Sequence, residues 1–349
     1  MKTMCAFPDA ERALAERRIE DALRLLDAAE ACGHAPNECA GERWFCYMLL
    51  GRFEDAWKES ERIDARGSDD PIALWDGNPF ADKRVIVRCL HGYGDAIQFI
   101  RFGRFLKPEA RRIIVQTHPQ LISLFQQLPW ADSVISWDGE DRGSWDQQIE
   151  VMELPRAFRT TLQTIPDEVP YLHVPRSRME HSRIAPRNSL SLRVGIQWAS
   201  SRWDATRDVP FDKLASLLSS SSCEFYSFQR GEARAASLDA AGIAITDVSG
   251  DSSDITEAAA DLMRIDLLIT VDTMLAHLAG ALGKPVWMLL PYAADWRWML
   301  SRRDTPWYPT MRLFRQSSPG DWNSALHDIK SELEVFIADG SKSISAAQQ

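Results

Sequence analysis

The stretch VIVRCLHGYGD, residues 85–95, decides the fold. Its first six residues form a largely apolar run of the length of a buried strand, and helical periodicity begins at Ala96 and continues through Ile97 and Ile100. A strand, a glycine loop and a helix in this order open a doubly wound α/β unit, in which ligands bind beyond the carboxyl ends of the strands. The stretch therefore predicts a Rossmann-like domain and the edge of its sheet where a site would lie.

The loop in this stretch contains two glycines and an aspartate. Gly92 and Gly94 would let the backbone approach a ligand closely, and Asp95 falls at the start of the helix. The pattern GxGD differs from the GxGxxG fingerprint, so a nicotinamide cofactor is poorly supported. Asp95 has two interpretations, a helix cap and a catalytic carboxylate, because Asp is among the best capping residues. The residues alone leave both open.

Strands and helices continue to alternate along the chain, on both sides of a linker rich in Pro, Arg and Ser. We predict further strands at 113–116 and 133–136 before the linker (175–191), and strands at 194–198, 225–228, 267–271 and 286–290 after it. Helical patterns lie around 213–218 and 255–263. This alternation implies two parallel sheets flanked by helices, with an interdomain cleft for a ligand.

The densest local motif is VDTMLAHLAGALGKP, residues 271–285. A strand ends where an Ala-rich helix begins, with Asp272 and Thr273 predicted as caps. The amide groups of Thr273–Leu275 would lack helical partners, and together with the helix dipole they suit a diphosphate. In the alternative interpretation Asp272 only caps the helix and His277 is a buried, hydrogen-bonded histidine.

An α-helical segment precedes these domains, over about residues 8–67. Residues 18–22, RIEDA, are echoed 34 positions later by RFEDA at 52–56, the period of the tetratricopeptide repeat. Only about two repeats are present, fewer than such an array needs alone, so we expect the segment to pack on the next domain. It is either a docking surface for a protein partner or a structural cap. The domains predicted are 1–75 (tetratricopeptide-like), 76–185 and 186–335 (two α/β domains) and 336–349 (flexible tail).

The composition, 45% hydrophobic and 26% charged over 349 residues, is typical of a soluble globular protein. A net charge of -10 argues against a general nucleic-acid binder, which needs a basic face. No apolar run is long enough for a transmembrane segment and no signal peptide is recognisable, so we predict a cytoplasmic protein with reduced thiols. Cys32, Cys39 and Cys46, near His34, lack CxxC spacing, and we interpret them as small helix residues in preference to a metal cluster.

From about Trp75 to Gln316 the chain resembles bacterial glycosyltransferases related to the ADP-heptose:lipopolysaccharide heptosyltransferases, in particular the group fused behind tetratricopeptide repeats. The matching stretches are GYGDAIQF (92–99), GIQWA (195–199), VDT with AHLAG (271–280), DWRW (295–298) and PWYP (306–309). The resemblance implies an α/β protein of the GT-B fold with two facing Rossmann-like domains, 76–185 on the acceptor side and 186–335 binding a nucleotide-sugar. It also implies an inverting transfer without a metal or other cofactor. Asp95 matches the family's general base. The donor-binding residues expected are Gly94, Trp198, Arg207, Asp272, Thr273, Met274, Leu275 and His277.

The chemistry of this transfer also needs a cation. A diphosphate leaving group requires charge stabilisation, and no Asp-x-Asp pair for a divalent metal occurs in the sequence. Arg207 is our first choice, because it matches a family Arg-Ser pair, with Arg202 and Lys284 as alternatives. Asp208 departs from that pattern, since a hydroxyl residue is usual there and a carboxylate would oppose the diphosphate.

Several alternatives remain at this stage. The acceptor is a glycan or a protein hydroxyl, in the second case recruited by the helical segment. The sugar and the nucleotide are unspecified, and heptose follows from the family resemblance alone. A nucleotide-sugar epimerase and a non-catalytic scaffold on the same fold are the competing functions. We expect Trp296, Trp298 and Trp307 to be buried rather than to stack on a ligand.

Overall fold

The computed structural model describes residues 6–67, 75, 77–139, 145–187, 189, 191–200, 204–219, 223–234, 244–250 and 253–346. The remaining residues, among them Cys5, Asp76 and Arg202, lie outside the described part of the chain. Across the described ranges, no helix combines the length and the apolar character needed to cross a membrane.

The first four helices form two consecutive helix pairs. Their bounds are Phe7–Ala15 (α1), Ile19–Ala31 (α2), Pro36–Leu49 (α3) and Phe53–Arg66 (α4). The second helices of the two pairs begin 34 positions apart, at Ile19 and Phe53, in the period that the sequence predicts. Gly51, in the turn before α4, has φ +72, a left-handed backbone that favours glycine. The assignment to tetratricopeptide repeats remains a prediction.

The N-terminal α/β domain contains a four-stranded parallel sheet in the order β3-β2-β1-β4. Its elements are β1 (Arg84–Arg88), α5 (Tyr93–Phe99), a 3-10 helix (Ile100–Leu106), β2 (Arg112–Thr117), a 3-10 turn (Pro119–Leu121), α6 (Ile122–Phe125), β3 (Ser133–Ser136), β4 (Gln147–Glu150), a second 3-10 turn (Val151–Glu153) and α7 (Leu154–Ala157). The strands predicted around 85–90, 113–116 and 133–136 are confirmed. The sequence pattern missed β4, which opens with two polar glutamines.

The C-terminal α/β domain contains a six-stranded parallel sheet in the order β10-β9-β8-β5-β6-β7. A short helix, α8 (Arg176–Met179), interrupts the predicted linker. Then follow β5 (Arg193–Gln197), a 3-10 turn (Ala205–Arg207), α9 (Phe211–Leu218), β6 (Glu224–Ser227), β7 (Ile245–Asp247), α10 (Ile255–Leu262), β8 (Leu267–Val271), α11 (Met274–Ala281), β9 (Val286–Leu290), a 3-10 turn (Trp296–Trp298) and β10 (Met311–Arg315). The four strands predicted here are confirmed, and β7 and β10 were missed.

The chain closes with a long helix, α12 (Trp322–Ala346), where the sequence predicted a flexible tail from residue 336. The backbone is helical up to Ala346, and the flexibility predicted for this tail stays a prediction. At the start of the tail the helix packs on the C-terminal domain: the Phe336 ring lies 5.7 Å from the Trp287 ring, and Ile337 also packs on that core.

The N-terminal helices share one hydrophobic core with both α/β domains. The Nε1 of Trp57 donates to the carbonyl of Thr160 in the N-terminal domain at 2.8 Å. On the C-terminal side the Trp44 ring lies 5.4 Å from Trp296, and the Phe53 ring stacks at 6.2 Å from Trp307. The expectation that this segment packs on the next domain is confirmed, as is the burial of the three tryptophans Trp296, Trp298 and Trp307.

We expect the helical segment and the α/β domains to unfold together. Phe53→Ala should lower the free energy of unfolding by about 3–5 kcal/mol, because it leaves a cavity against Trp307. Urea unfolding followed by far-ultraviolet circular dichroism should show one transition that moves as a whole. The matched control is Glu54→Ala, an exposed position one residue away. A separate early transition of the helices in Phe53→Ala would contradict a shared core.

Candidate functional site

The N-termini of two helices from different domains meet at the centre of the molecule. Helix α5 follows β1 of the N-terminal sheet, and α11 follows β8 of the C-terminal sheet. A Cβ atom added to Gly94 would lie 2.9 Å from Cδ2 of His277 and 3.6 Å from the Cα of Met274. Only glycine permits this approach, so Gly94 brings the two helix ends together.

Asp95 lies at this junction, on the first turn of α5, with 28% of its side chain exposed. Gly92 is the N-cap residue of this helix, so Asp95 is not the N-cap that the sequence suggested; its Oδ2 instead accepts a hydrogen bond from the backbone N–H of Gly92 at 3.1 Å. Each carboxylate oxygen has two lone pairs and can accept a further bond. The bond from Gly92 therefore leaves the carboxylate able to accept a hydrogen bond from a substrate hydroxyl.

Arg297 joins Asp95 to the C-terminal domain. The Arg297 side chain is buried and donates to Asp95 Oδ1 at 2.6 Å, to Asp295 Oδ1 at 3.0 Å and to Gln98 Oε1 at 2.8 Å. Burial lowers the pKa of Arg297, but the charges of Asp295 and Asp95 outweigh it and the pKa is raised overall. Arg297 lies in the DWRW motif of the family resemblance, but the sequence did not predict it as a site residue. Its partner Asp95 lies 202 positions away, so no local pattern could have found it.

The N-terminus of α11 differs in detail from the prediction. Thr273 is the N-cap residue, and its Oγ1 donates to Gln197 Oε1 at 2.7 Å instead of capping the helix. Asp272 was predicted as a cap, but its buried Oδ2 accepts from Trp298 Nε1 at 2.9 Å. Burial raises the pKa of Asp272, although the nearby charge of Arg207 acts in the opposite direction. The first-turn amides of the helix are therefore not capped by either side chain.

Of the three predicted cations, the structure brings Arg207 to this helix end. Its Nη1 lies 3.3 Å from the Asp272 carbonyl oxygen and 3.4 Å from Asp272 Oδ2, and 25% of the side chain is exposed. Lys284 precedes β9 and so lies at the opposite edge of the sheet, which removes it as a candidate. Arg202 lies outside the described residues.

Asp208, the departure from the family pattern, is held within its own loop. Its Oδ1 accepts from the backbone N–H of Ser200 at 2.7 Å and from the Ser200 hydroxyl at 3.0 Å. The carboxylate therefore closes the loop that carries Arg207. The carboxylate is hydrogen-bonded within this loop, which reduces the repulsion that it would exert on a diphosphate.

Two other predicted donor-binding residues are buried. The Trp198 side chain is 2% exposed in the core of the C-terminal domain, with its ring 4.7 Å from Phe211, so the indole cannot stack on a ligand. His277 is also buried, and its Nδ1 lies 2.9 Å from the Tyr308 hydroxyl. Burial and then the charge of Arg297 hold the pKa of His277 well below its ordinary value, so the ring is neutral. The buried-histidine alternative describes His277 correctly.

Glu150, which the sequence analysis did not select, lies buried at the carboxyl end of β4. Its carboxylate accepts from the backbone N–H of Leu90 at 3.4 Å and from that of Met152. Burial raises its pKa to about 8, and the charges of Glu153 and Asp95 add to the effect. At neutral pH Glu150 is therefore largely protonated behind the loop that leads to Asp95. The described part of the chain holds no cluster of three or more His, Cys, Asp or Glu side chains that could bind a metal.

Comparison with known proteins points to one family. Residues 165–298 match the family model of glycosyltransferase family 9 (heptosyltransferase). The matched region includes β5, α11 and the loop that carries Arg207, and it ends within the Trp296–Trp298 turn. It therefore contains the C-terminal half of the site, while Asp95 lies outside it.

A curated relative and two solved structures extend the comparison. Protein FlbA of Caulobacter vibrioides is 23% identical over 364 residues, which cover 95% of this chain and 59% of that protein. The chain thus spans less than two thirds of the length of this relative. A family 9 glycosyltransferase from Veillonella parvula has a TM-score of 0.56 at 12% identity, covering 76% of this chain and 99% of that one. The ADP-heptose lipopolysaccharide heptosyltransferase II of E. coli has a TM-score of 0.54 at 13% identity, covering 73% and 99%. At these identities the likeness shows the fold, a GT-B-like arrangement of parallel α/β domains.

Glu150 should make the stability of the protein depend on pH. Its folded-state pKa of about 8 exceeds the ordinary value near 4.5, so the folded chain keeps a proton that the unfolded chain releases. The stabilisation is fully present below the unfolded pKa and is lost as pH rises through the folded pKa. Glu150→Gln stays neutral and should melt several degrees above the native protein at pH 9, because each unit by which the folded pKa exceeds the unfolded pKa corresponds to about 1.4 kcal/mol. At pH 4, below both pKa values, the two proteins should melt alike, which controls for packing. Equal melting temperatures at both pH values would contradict the buried, protonated carboxyl.

Proposed function

We propose that this protein is an inverting, metal-independent glycosyltransferase that moves a sugar from a nucleotide-diphosphate donor to a hydroxyl of a glycan or a protein. The match to glycosyltransferase family 9 supports the general reaction. The observation that carries the detailed proposal is the contact of α5 with α11, because it brings the start of the helix that carries Asp95 against the N-terminus of a second helix. Heptose, the sugar named for the similar E. coli enzyme, is the first sugar to test.

On the donor side, the N-terminus of α11 would bind the diphosphate. The first amides of a helix lack intrahelical acceptors and the helix dipole favours an anion there. Arg207 reaches the same helix end and stays partly exposed, so it can form charge-assisted hydrogen bonds to a phosphate. These groups would stabilise the charge that develops when the bond between the anomeric carbon and the diphosphate breaks.

On the acceptor side, Asp95 would take the proton of the attacking hydroxyl. Arg297 and Gly92 hold the carboxylate in one orientation, and its exposed fraction leaves room for a further hydrogen bond. The acceptor oxygen then forms its bond to the anomeric carbon as the diphosphate leaves with the bonding electron pair. Because base and leaving group belong to opposite domains, attack comes from the face opposite the diphosphate, and the anomeric configuration inverts.

Asp95→Asn should abolish transfer while preserving the fold. The amide cannot accept a proton from the acceptor hydroxyl, so kcat should fall by about 10²–10⁴-fold. The assay is release of nucleoside diphosphate from ADP-heptose and other nucleotide-sugars, with acceptor mixtures and excess chelator. The thermal shift caused by nucleoside diphosphate should persist in the variant. Full transfer activity in Asp95→Asn would rule out Asp95 as the base.

Arg207→Ala should weaken donor binding by about 10–100-fold, since one charge-assisted hydrogen bond contributes about 1.5–3 kcal/mol. Thermal shift with ADP, UDP and GDP measures it, because a ligand at a hundred times its dissociation constant stabilises by about 2.7 kcal/mol. The control Lys330→Ala, an exposed cation on α12, should bind like the native chain. A native chain that no nucleotide or nucleotide-sugar stabilises would instead favour a non-catalytic scaffold.

A further inference from the structure

Three aromatic side chains lie at the carboxyl edge of the N-terminal sheet, the edge where the helix that carries Asp95 begins. Tyr93 precedes Asp95 by two residues, His118 follows β2 and Trp137 follows β3. The His118 ring centroid lies 4.4 Å from that of Tyr93 and 3.7 Å from that of Trp137. We call these three residues the aromatic shelf. It runs from the start of α5, past the end of β2, to the end of β3.

The shelf is hydrogen-bonded to neighbouring backbone carbonyls and is exposed at one end. His118 Nε2 donates to the carbonyl of His91 at 2.7 Å, and the backbone N–H of Trp137 donates to the carbonyl of Thr117 at 3.1 Å. Yet 38% of Trp137 remains exposed, and Leu90 beside the loop is similarly exposed. A large aromatic ring that is fixed by its neighbours and still open to solvent suits the stacking of a flat apolar face.

The charge around the shelf disfavours an anion. Burial lowers the pKa of His118, so the imidazole is neutral at neutral pH. The exposed Asp138, the residue after Trp137, contributes a negative charge beside the shelf. Arg88, at the end of β1, hydrogen-bonds to Gln116 and Gln148 and lies over the Trp145 ring. A neutral ligand therefore fits here better than a phosphorylated or carboxylated one.

We propose that the aromatic shelf binds a neutral pyranose ring of the acceptor, stacked on Trp137 by its C–H face. This inference rests on the proposed function, because the shelf lies at the same edge of the N-terminal sheet as the proposed base. A sugar ring combines an apolar face for the indole with hydroxyls for polar neighbours such as Asp138, which the side chain of an aliphatic or aromatic peptide does not. The acceptor is accordingly a glycan whose accepting residue carries no charge.

Saturation-transfer difference NMR on the full chain tests the shelf without requiring turnover. The probes are methyl glycosides of glucose, galactose, mannose and N-acetylglucosamine, compared with glucuronic acid, glucose 6-phosphate and a Phe-containing tripeptide. At least one neutral glycoside should show saturation on its ring C–H protons. Trp137→Ala should weaken its binding about tenfold, the response to losing one stacked ring. Trp137→Phe should retain part of it, which guards against a variant that simply fails to fold.

Phe105→Ala is the matched control, because Phe105 is an aromatic residue of almost equal exposure, 37%, outside the shelf. It should bind the neutral glycosides like the native chain. Saturation that is equal in Trp137→Ala and the native chain, or Trp137-dependent binding of only the anionic sugars or the peptide, overturns the proposal. So does the absence of saturation with every neutral glycoside. Nucleotide thermal shifts on the same samples separate the two proposals: if they persist, only the acceptor inference is lost, and if they are absent in the native chain, the proposed function fails.

Discussion

The structure depends on the burial of one guanidinium group. Arg297 remains charged even in a protein interior, and an unpaired buried charge is strongly destabilising. Two carboxylates pair with this charge: Asp295, just before the same turn, and Asp95 of the other domain. The ion pair with Arg297 of the C-terminal domain thus fixes the position of the Asp95 carboxylate of the N-terminal domain. The same contact therefore both joins the two domains and orients Asp95.

The sequence predicts the fold well where strands are central to a sheet. Such strands are covered on both faces and read as apolar runs, as at Val85–Leu90 and Leu267–Val271. The three missed strands, β4, β7 and β10, all lie at the edges of their sheets. An edge strand is short or carries polar residues because one side has no partner strand, so the apolar run that identifies a strand is missing. The N-terminal helices were predictable because their spacing follows from a 34-residue repeat.

The residues of the candidate site were predictable only where a short local motif marks them. The glycine loop marks Asp95, the turn from strand to helix marks Thr273, and the family resemblance adds Arg207. Pairing over long distances along the chain is invisible to such patterns, which is why Arg297 and Glu150 were not selected. The burial of the Trp198 side chain was missed for a related reason. A residue at the end of a strand can face either the cleft or the core, and only packing against Phe211 decides which.

The position of the four N-terminal helices has a consequence for dynamics. They contact both α/β domains. Trp57 donates a hydrogen bond to Thr160 of the N-terminal domain, and the rings of Trp44 and Phe53 pack on Trp296 and Trp307 of the C-terminal domain. Any rigid-body rotation that swings the two domains apart must break these aromatic contacts together with the hydrogen bond of Trp57. The helical segment thus couples the two α/β domains, and their relative orientation should be stiffer with the segment in place than their direct contacts alone would make it.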